Sequence, residues 1–515
     1  MDFKTRLLDL EAGGKYIVVM GIGDANRLGA LSNDRLMLRS GESEVAAILN
    51  TAEKYPRGVL GVYREVGTHL ALSEGSSVQV VPAERPRSLN FIRNKIMGEK
   101  LMPGQIELIV EDVVERQLSD IELASFVTSL QIHGTSMEEV EALSRAMIKM
   151  GKTITFHNPP ILDKHSIGGV PGDKTTLVVV PIIAAAGHTI PKSSSRAITS
   201  PAGTADRMEA LCPVDLRIDD IVKVVDEVNA CIVWGGSLDL APADDLFIQV
   251  EYPLSIDPLL LPSIMSKKKA MGSTHVVVDI PTGREAKIKS LQEAQQLAFN
   301  FIELGNRLGM KIRCAVTEGE QPVGYAMGPA LEAKEALQAL MGRGPSDLVE
   351  KATSLAGILL EMMGEEDGKR RAQDILRSGR AEKQMRRIIE AQGGDPEVVP
   401  DDIDVGDEHA DLFAESSGRL LYINNKSLAQ IARAAGAPST KGAGIVLEAK
   451  LGDEVKEGQP LFHIFSDNER RLRQAEQLAR ELEPIVVGGR IGERMVMMKI
   501  SESTRPGAER YIIDR

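Results

Sequence analysis

Two loops rich in glycine, lysine and hydroxyl side chains contain the groups in this chain best suited to chemistry. The first spans residues 163–176 and has the sequence DKHSIGGVPGDKTT. Its adjacent glycines would let backbone amides approach an oxyanion, and Lys164, Ser166 and Thr176 add an ammonium and two hydroxyls as donors. An apolar segment follows, as it commonly does after a phosphate-binding loop. The pattern predicts a phosphate site, with a turn-rich connection that happens to contain a lysine as the alternative.

The second loop spans residues 192–204, with the sequence KSSSRAITSPAGT. Ahead of Thr204 it places five hydroxyl side chains and Arg196, and a helix is predicted to begin near Ala205. Thr204 is the predicted N-cap, so that backbone amides and the positive end of the helix would face a bound anion. A solvated serine-rich loop is the alternative. Two donor-rich loops in one lobe favour an anion site over that alternative.

A third segment pairs an isolated carboxylate with a run of lysines. Asp257 precedes Pro258, and the sequence SIMSKKK follows over residues 263–269. From the pattern alone, Asp257 could cap a helix or act as an acid. Lys267–Lys269 could equally form a solvated helix face or part of a site.

The elements that must position these loops fall into four predicted domains. Their types follow from apolar alternation in the β-rich parts, from capping boxes such as Ser119-x-x-Glu122 in the helical part, and from alternating strands and helices in the α/β part. The C-terminal strands follow the hammerhead pattern of biotinyl and lipoyl domains, with Lys450 interpreted as scaffold. The predicted boundaries are 1–85 (β-rich), 88–152 with part of 243–270 (helical lobe), 153–400 (α/β lobe) and 405–515 (α+β with the hammerhead). Within the α/β lobe the sequence predicts a buried strand at 276–280 and helices at 285–303 and 330–360.

Composition restricts the classes of partner. The formal net charge is −13 over 515 residues, which argues against nucleic acid or an anionic membrane surface as the main partner. Cys212, Cys231 and Cys314 lie far apart without CxxC spacing, so neither a disulfide nor a metal site is expected. The start of the chain lacks the apolar core of a signal peptide, and the most apolar stretch is too short to span a bilayer. A cytoplasmic protein is expected.

Three blocks in this order resemble the thymidine phosphorylase superfamily. They are KHSIGGV at 164–170, the loop at 194–204 with its trailing DRME at 206–209, and SIMSKK at 263–268. This resemblance covers residue 89 onward. The additional N-terminal domain and YPLSID at 252–257 are similar to the archaeal type of AMP phosphorylase, along nearly the whole chain. The implied fold is α/β multidomain, of nucleoside phosphorylase class II type: a small helical lobe and a large α/β lobe with a β-rich N-terminal domain and a C-terminal α+β domain.

The resemblance also implies a reaction and the residues that perform it. AMP and phosphate would give adenine and ribose 1,5-bisphosphate, with CMP and UMP as further substrates. Phosphate would be a co-substrate, with no cofactor, and the protein would form a homodimer or a larger homo-oligomer. Asp257 would be the proton donor, and Lys164 and Ser166 would hold phosphate, with Thr176 where the nucleoside phosphorylases have a serine. The nucleotide contacts would be Gly169, Ser195, Arg196, Ala197, Ile198, Thr199, Ser200, Thr204, Ser263 and Lys287.

Two physical expectations accompany these roles. Asp257 can protonate a departing base only if burial, here beside Pro258 and Leu259–Leu261, raises its pKa towards neutrality. A nucleotide brings a second anion, its 5′-phosphate, which Arg196, Thr199, Ser200 and Lys287 could reach. The stretch between Asp257 and Ser263 is shorter than is usual in the family.

Three alternatives are weighed against this interpretation. Pyrimidine-nucleoside phosphorylases have an arginine against the base, in an Arg-Asp-Val stretch, where this chain has Glu251. An anthranilate phosphoribosyltransferase-like enzyme shares the architecture, but its Mg-diphosphate motifs are not visible in this sequence. A nucleotide-sensing binding protein, with the hammerhead as a docking module, is the alternative from a different class, and phosphate-dependent release of base would exclude it.

Overall fold

The computed structural model describes residues 1–197 and 200–488, and it divides into two compact units. The first unit comprises Met1–Met150 and Ala241–Ser263. The second comprises Gly151–Leu240 and the described residues from Ile264 onward. In the described ranges, every helix is too short or too polar to cross a membrane.

The first unit begins with a closed six-stranded barrel, in the order β1-β5-β2-β4-β3-β6. Alternate residues of its strands, such as Val18 and Met20 or Leu36 and Leu38, are fully buried and fill the interior, as the period of two in a β-strand requires. The strands are β1 (Asp2–Leu7), β2 (Ile17–Gly21), β3 (Arg35–Ser40), β4 (Ser43–Ala52), β5 (Val59–Val62) and β6 (Ser77–Pro82), and the helices are α1 (Ile22–Leu28) and α2 (Arg64–His69).

Four helices follow as a lobe: α3 (Ser88–Ile96), α4 (Pro103–Val114), α5 (Asp120–His133) and α6 (Met137–Met150). The capping box predicted for α5 is present, because the Ser119 side chain accepts from the Glu122 amide while Glu122 accepts from the Ser119 amide. The returning segment at 241–263 adds a fifth helix, whose Phe247 packs against Phe126 with ring centroids 6.1 Å apart.

The second unit begins with an α/β lobe that carries both donor-rich loops. Strands β7, β10 and β11 form a parallel sheet in the order β11-β10-β7, and β8 pairs in parallel with β9. Helix α7 is apolar on all sides and is buried almost throughout, so it forms the centre of the core. The elements are β7 (Leu162–Ser166), α7 (Thr175–Ala185), β8 (Ile190–Ser194), α8 (Thr204–Met208), α9 (Ile218–Val228), β9 (Ala230–Trp234), a 3₁₀ turn (Gly235–Ser237), α10 (Pro242–Leu254, in the first unit), α11 (Leu260–Ala270), β10 (His275–Thr282), α12 (Leu291–Arg307), β11 (Lys311–Glu318), β12 (Ala326–Met327), α13 (Pro329–Leu340), α14 (Ser346–Met362), α15 (Gly368–Arg377), α16 (Arg380–Ala391) and a second 3₁₀ turn (Pro400–Asp402).

Two of the predicted helices need correction. The helix predicted at 285–303 begins only at Leu291, because Ser290 accepts a hydrogen bond from the Glu293 amide and caps it there. The helix predicted at 330–360 is two helices. Gly342 ends the first in a left-handed conformation (φ 78°), and Pro345 immediately precedes the second.

The C-terminal domain consists of two small sheets, in the orders β12-β15-β17-β13 and β16-β14-β18, with two helices. Lys450, in the turn of the hammerhead pattern, is 9% exposed, and its ammonium donates to the carbonyls of Pro322 and Gly324 and pairs with Asp347. This confirms that Lys450 is scaffold. The elements are β13 (Glu408–Phe413), β14 (Gly418–Ile423), α17 (Asn425–Ala435), β15 (Gly444–Leu447), β16 (Glu454–Val455), β17 (Pro460–Ser466), α18 (Glu469–Leu482) and β18 (Ile485–Gly488).

Candidate active site

The loops after β7, β8 and β10 leave the sheet at the same edge. Strands β7 and β10 are parallel, and a parallel bridge between Ile161 and Thr189 gives β8 the same direction as β7. Open α/β sheets bind ligands at the carboxyl ends of their strands. The two donor-rich loops and the segment with Lys287 therefore lie on the edge where a ligand is expected.

Lys164 is held at the start of α7. Its ammonium donates to the Thr175 hydroxyl at 2.9 Å and lies 3.6 Å from the Asp173 carboxylate, while the Thr175 hydroxyl itself donates to Asp173. Lys164 is 1% exposed. Burial alone would raise the pKa of Asp173, but Lys164 and Lys351 outweigh it and hold that pKa well below its usual value. The predicted phosphate ligand Thr176 is buried in the same first turn.

The glycines of the first loop allow a close approach between two predicted substrate residues. Gly168 and Gly169 have positive φ (79° and 93°), which other residues rarely adopt. A Cβ on Gly169 would lie 2.8 Å from the amide nitrogen of Lys287. Ser166, at the end of β7, accepts a hydrogen bond from the Gly168 amide at 3.4 Å. The structure thus brings Lys164, Ser166, Gly169, Thr176 and Lys287 to one edge of the sheet.

The second loop is held in place by hydrogen bonds to two carboxylates, those of Asp206 and Glu209. Arg196 binds Glu209 with two hydrogen bonds of 2.6 and 2.9 Å, pairs with Asp206 at 3.2 Å, and lies over the Trp234 ring at 5.0 Å. Asp206 also accepts from the amides of Ala197 and Gly203, at 2.7 and 2.8 Å. The guanidinium of Arg196 is therefore engaged by side chains of its own lobe.

The predicted N-cap of helix α8 is wrong by one residue. Thr204 is the first residue of the helix and Gly203 is the N-cap, because Asp206 accepts from the Gly203 amide. A Cβ on Gly203 would lie 2.7 Å from the Ser195 carbonyl oxygen, so this position excludes a larger residue. The Thr204 hydroxyl accepts from Arg207 at 3.3 Å.

The remaining positions of the second loop differ in exposure. Ser195 is exposed, whereas Ser200 is half-buried and donates to the Ala202 carbonyl at 3.1 Å. Ile198 and Thr199 lie outside the described residues.

A second buried group of charges was missed in the sequence. The carboxylate of Asp163, the second residue of β7, is 0% exposed and lies 2.8 Å from the Lys268 ammonium and 3.9 Å from the Lys192 ammonium. Lys268 is therefore not part of a solvated helix face. No local signal singled out this group, because Asp163 in β7 and Lys192 in β8 stand among other polar residues of the same strands.

Asp257 and Ser263 belong to the first unit, where Asp257 lies between α10 and α11 and Ser263 on α11. The expected burial of Asp257 is wrong, because its side chain is exposed. Of the neighbouring leucines, Leu259 alone is fully buried, and it packs into the core of the helical lobe.

The part of the chain that the structure describes contains no group of three or more His, Cys, Asp or Glu side chains arranged to hold a metal ion. All three cysteines are free, and burial raises the pKa of each thiol to about 12. The donors at the sheet edge are ammonium groups, hydroxyls and amides, which suit an oxyanion.

Comparison with known families assigns three parts of the chain. Residues 89–151 match the helical bundle domain of the glycosyl transferase family, and residues 158–382 match its a/b domain. Residues 420–485 match the pyrimidine nucleoside phosphorylase C-terminal domain. An anthranilate phosphoribosyltransferase from Thermus thermophilus superimposes with a TM-score of 0.51 at 19% identity, covering 58% of this chain and 98% of that one, a similarity of fold.

Relatives with known names match over almost the whole chain. An AMP phosphorylase from Thermofilum pendens is 48% identical over 500 residues, covering 97% of this chain and 98% of its own. One from Thermococcus kodakarensis is 50% identical over 501 residues, covering 96% and 99%. One from Methanosarcina barkeri is 47% identical over 488 residues, covering 94% and 96%. A helical bundle, an α/β domain with a buried lysine at the carboxyl edge of its sheet, and this full-length similarity place the chain in the AMP phosphorylase family.

Proposed function

We propose that this protein cleaves nucleoside 5′-monophosphates with inorganic phosphate, converting AMP and phosphate to adenine and ribose 1,5-bisphosphate, with CMP and UMP as further substrates. The observation that carries the proposal is the similarity to AMP phosphorylases over 94% to 97% of the chain, which includes the N-terminal barrel. Phosphate is the co-substrate, and no cofactor takes part.

The attacking phosphate binds Lys164, Ser166 and Thr176 in this proposal. Support comes from the geometry of the first loop, where an ammonium, hydroxyls and glycine amides share one edge of the sheet. A phosphate oxygen attacks C1′ as the bond from C1′ to the base breaks, through a state with oxocarbenium character. Because Lys164 is already fixed by Thr175 and Asp173, little reorganisation is needed when charge develops on the phosphate.

Departure of the base requires a proton, which we assign to Asp257 because of the family resemblance. Its side chain is exposed in the empty site, so the bound nucleotide must cover the carboxyl group before it can act as the acid. Its carboxyl group would protonate the base as the glycosidic bond breaks, and the electron pair of that bond would remain on the base. Nucleotide contacts are assigned to Gly169, to the loop from Ser195 to Ser200, and to Thr204, Ser263 and Lys287. The contact between Gly169 and Lys287 supports a shared role for these two residues.

We further propose that the protein acts in the cytoplasm as a homodimer or larger homo-oligomer. Helix α5 supports self-association, because Ile121 and Ile132 lie on one face, three turns apart, and are 79% and 70% exposed.

The test is a product assay with purified protein. AMP, CMP, UMP, adenosine and thymidine are each incubated with and without phosphate, and base and sugar phosphate are measured. We expect adenine and ribose 1,5-bisphosphate from AMP only when phosphate is present. Faster turnover of thymidine than of AMP would instead identify a pyrimidine-nucleoside phosphorylase, and binding without base release would identify a nucleotide sensor.

A further inference from the structure

Two buried lysines share one carboxylate and one carbonyl. The carboxylate belongs to Asp163, the residue before Lys164, and one of the lysines, Lys192, is the first residue of the second loop. Lys268 lies 2.8 Å from Asp163, and Lys192 lies 3.9 Å from it. Both ammonium groups also donate to the Ser193 carbonyl, from 3.4 and 2.5 Å. Lys192 is 5% exposed and Lys268 is 2% exposed, so water does little to screen the repulsion between their two ammonium groups. One carboxylate thus balances two amines, and Lys268 has the closer contact.

The adjoining charges do not supply the missing negative charge. Asp173 faces Lys164 at 3.6 Å and Lys351 at 3.9 Å, and Asp279 faces Lys351 at 2.9 Å. With Asp163, these described residues comprise four buried lysines and three carboxylates. If all were ionised, one positive charge would remain uncompensated in the interior, which is costly unless a group gives up its proton or an anion binds.

Of the two amines, Lys192 is the one that the arrangement favours as neutral, because it lies 3.9 Å from the Asp163 carboxylate whereas Lys268 lies 2.8 Å from it. Burial, then the neighbouring Lys268 and Lys164, lower its pKa well below the usual value, and Asp163 only partly opposes them. The other groups facing it do not restore the charge. His165 is kept neutral by burial and by Lys268, Lys192, Lys164 and Lys267, which lower its pKa well below the usual value. The thiol of Cys231 remains protonated, because burial raises its pKa to about 12.

We propose that Lys192 is a further residue of the anion site, neutral when the site is empty, and that it takes up one proton from solvent as a dianion binds. The identity of the dianion as phosphate rests on the proposed function. No covalent bond changes in this step, and the proton balances part of the incoming charge. Below the pKa of Lys192 in the empty protein the amine is already charged and no uptake occurs. Between that pKa and the higher pKa of Lys192 in the complex, affinity for the dianion falls about tenfold for each pH unit, and above both it becomes constant.

Inorganic sulfate is the appropriate probe, because it remains a dianion without titrating near neutral pH, whereas phosphate exchanges protons of its own. Titration calorimetry of sulfate into the full-length protein, in buffers with different ionisation enthalpies and without phosphate, gives the number of protons taken up. In a pH series from about 6 to about 10, we expect a range above the pKa of Lys192 in the empty protein in which uptake approaches one proton and the dissociation constant rises about tenfold for each pH unit. Lys192→Arg should bind sulfate with no uptake and with a constant affinity, because arginine stays charged.

Lys192→Met should also show no uptake, with affinity weakened to that of the wild-type protein at high pH. Lys223→Met, which removes an exposed lysine of α9, is the matched control and should behave as wild type. If Lys192→Met does not fold, Lys192→Arg and the wild-type pH series still decide. The proposal is overturned if sulfate does not bind to the wild-type protein or binds without proton uptake. It is also overturned if Lys192→Arg still takes up a proton when sulfate binds. Proton uptake without phosphorolysis of AMP would overturn only the proposed function, and the reverse result would overturn only the role of Lys192.

Discussion

Asp173 is flanked by two lysines that differ in what else they touch. Lys164 donates to Thr175 at the start of α7, next to the predicted phosphate ligands. Lys351 instead contacts Asp279, which also accepts from the Thr317 hydroxyl at 2.6 Å. Both lysines neutralise buried carboxylates, but Lys164 alone is assigned to phosphate. This pair therefore allows the structural and the catalytic contributions of a buried lysine to be separated.

Lys164→Met is expected to reduce phosphorolysis roughly 100- to 1000-fold, because it removes a preorganised donor to the developing charge on phosphate. It should also destabilise the fold by about 3–5 kcal/mol, since Asp173 keeps only one of its lysines. Lys351→Met is the matched control, with a similar loss of stability and a loss of rate below about tenfold. Steady-state kinetics at saturating AMP, with thermal unfolding of each variant, measures both effects. Equal rates for the two variants would remove Lys164 from the site.

At the scale of elements, the second loop is held by ion pairs that the sequence did not predict. Arg196 was a candidate for the 5′-phosphate because an arginine among hydroxyls suits an anion. In the structure its guanidinium binds Glu209 and Asp206, and Glu209 directly follows the short helix α8. A role in holding the loop follows directly from these contacts, whereas contact with the nucleotide remains a prediction.

If Arg196 acts by holding the loop, replacing its partner Glu209 should reduce activity as much as replacing Arg196. Arg196→Ala and Glu209→Ala should each reduce kcat/KM about tenfold, from the loss of one charge-assisted pair. The double variant should be no worse than either single variant, because both remove the same interaction. The rates with AMP and with adenosine should fall by the same factor. Lys441→Met, which removes an exposed lysine that also pairs with Glu209, should have little effect. A loss confined to AMP and to Arg196→Ala would mean that Arg196 contacts the 5′-phosphate.

Local patterns predicted elements more reliably than they predicted partners. The strand at 276–280, the capping box at Ser119 and the glycine-rich loop all depend on residues close in sequence. The pairing of Asp163 with Lys192 and Lys268 joins three elements far apart in the chain, which no local pattern encodes. The exposure of Asp257 was missed for a related reason. Nearby leucines indicate burial, but only Leu259 packs into the core of the helical lobe, and the Asp257 side chain is exposed.

At the scale of the whole molecule, the N-terminal barrel is joined to the helical lobe within the first unit. Arg35 of the barrel binds Glu122, which also caps α5, and Lys15 binds Asp120. The Arg35 side chain is 15% exposed and that of Glu122 25%, so this ion pair is partly shielded from water. The barrel therefore supports the helix that begins at Asp120, and none of the residues assigned to the reaction lies in it.

Removal of residues 1–87 should therefore leave the chemistry in place and weaken the helical lobe. We expect AMP phosphorolysis within about tenfold of the full-length rate, because no group assigned to the transition state is lost. The Arg35→Met substitution in the full-length protein removes only the ion pair with Glu122 and leaves the rest of the barrel in place. Loss of one partly buried charged pair, about 1 kcal/mol, should lower the unfolding temperature by about 2–4 °C without changing the rate. Calorimetric unfolding and the phosphate-dependent assay measure both variants. If the truncated protein folds but releases no adenine, residues 1–87 complete the site, and the barrel must then be counted among the catalytic elements.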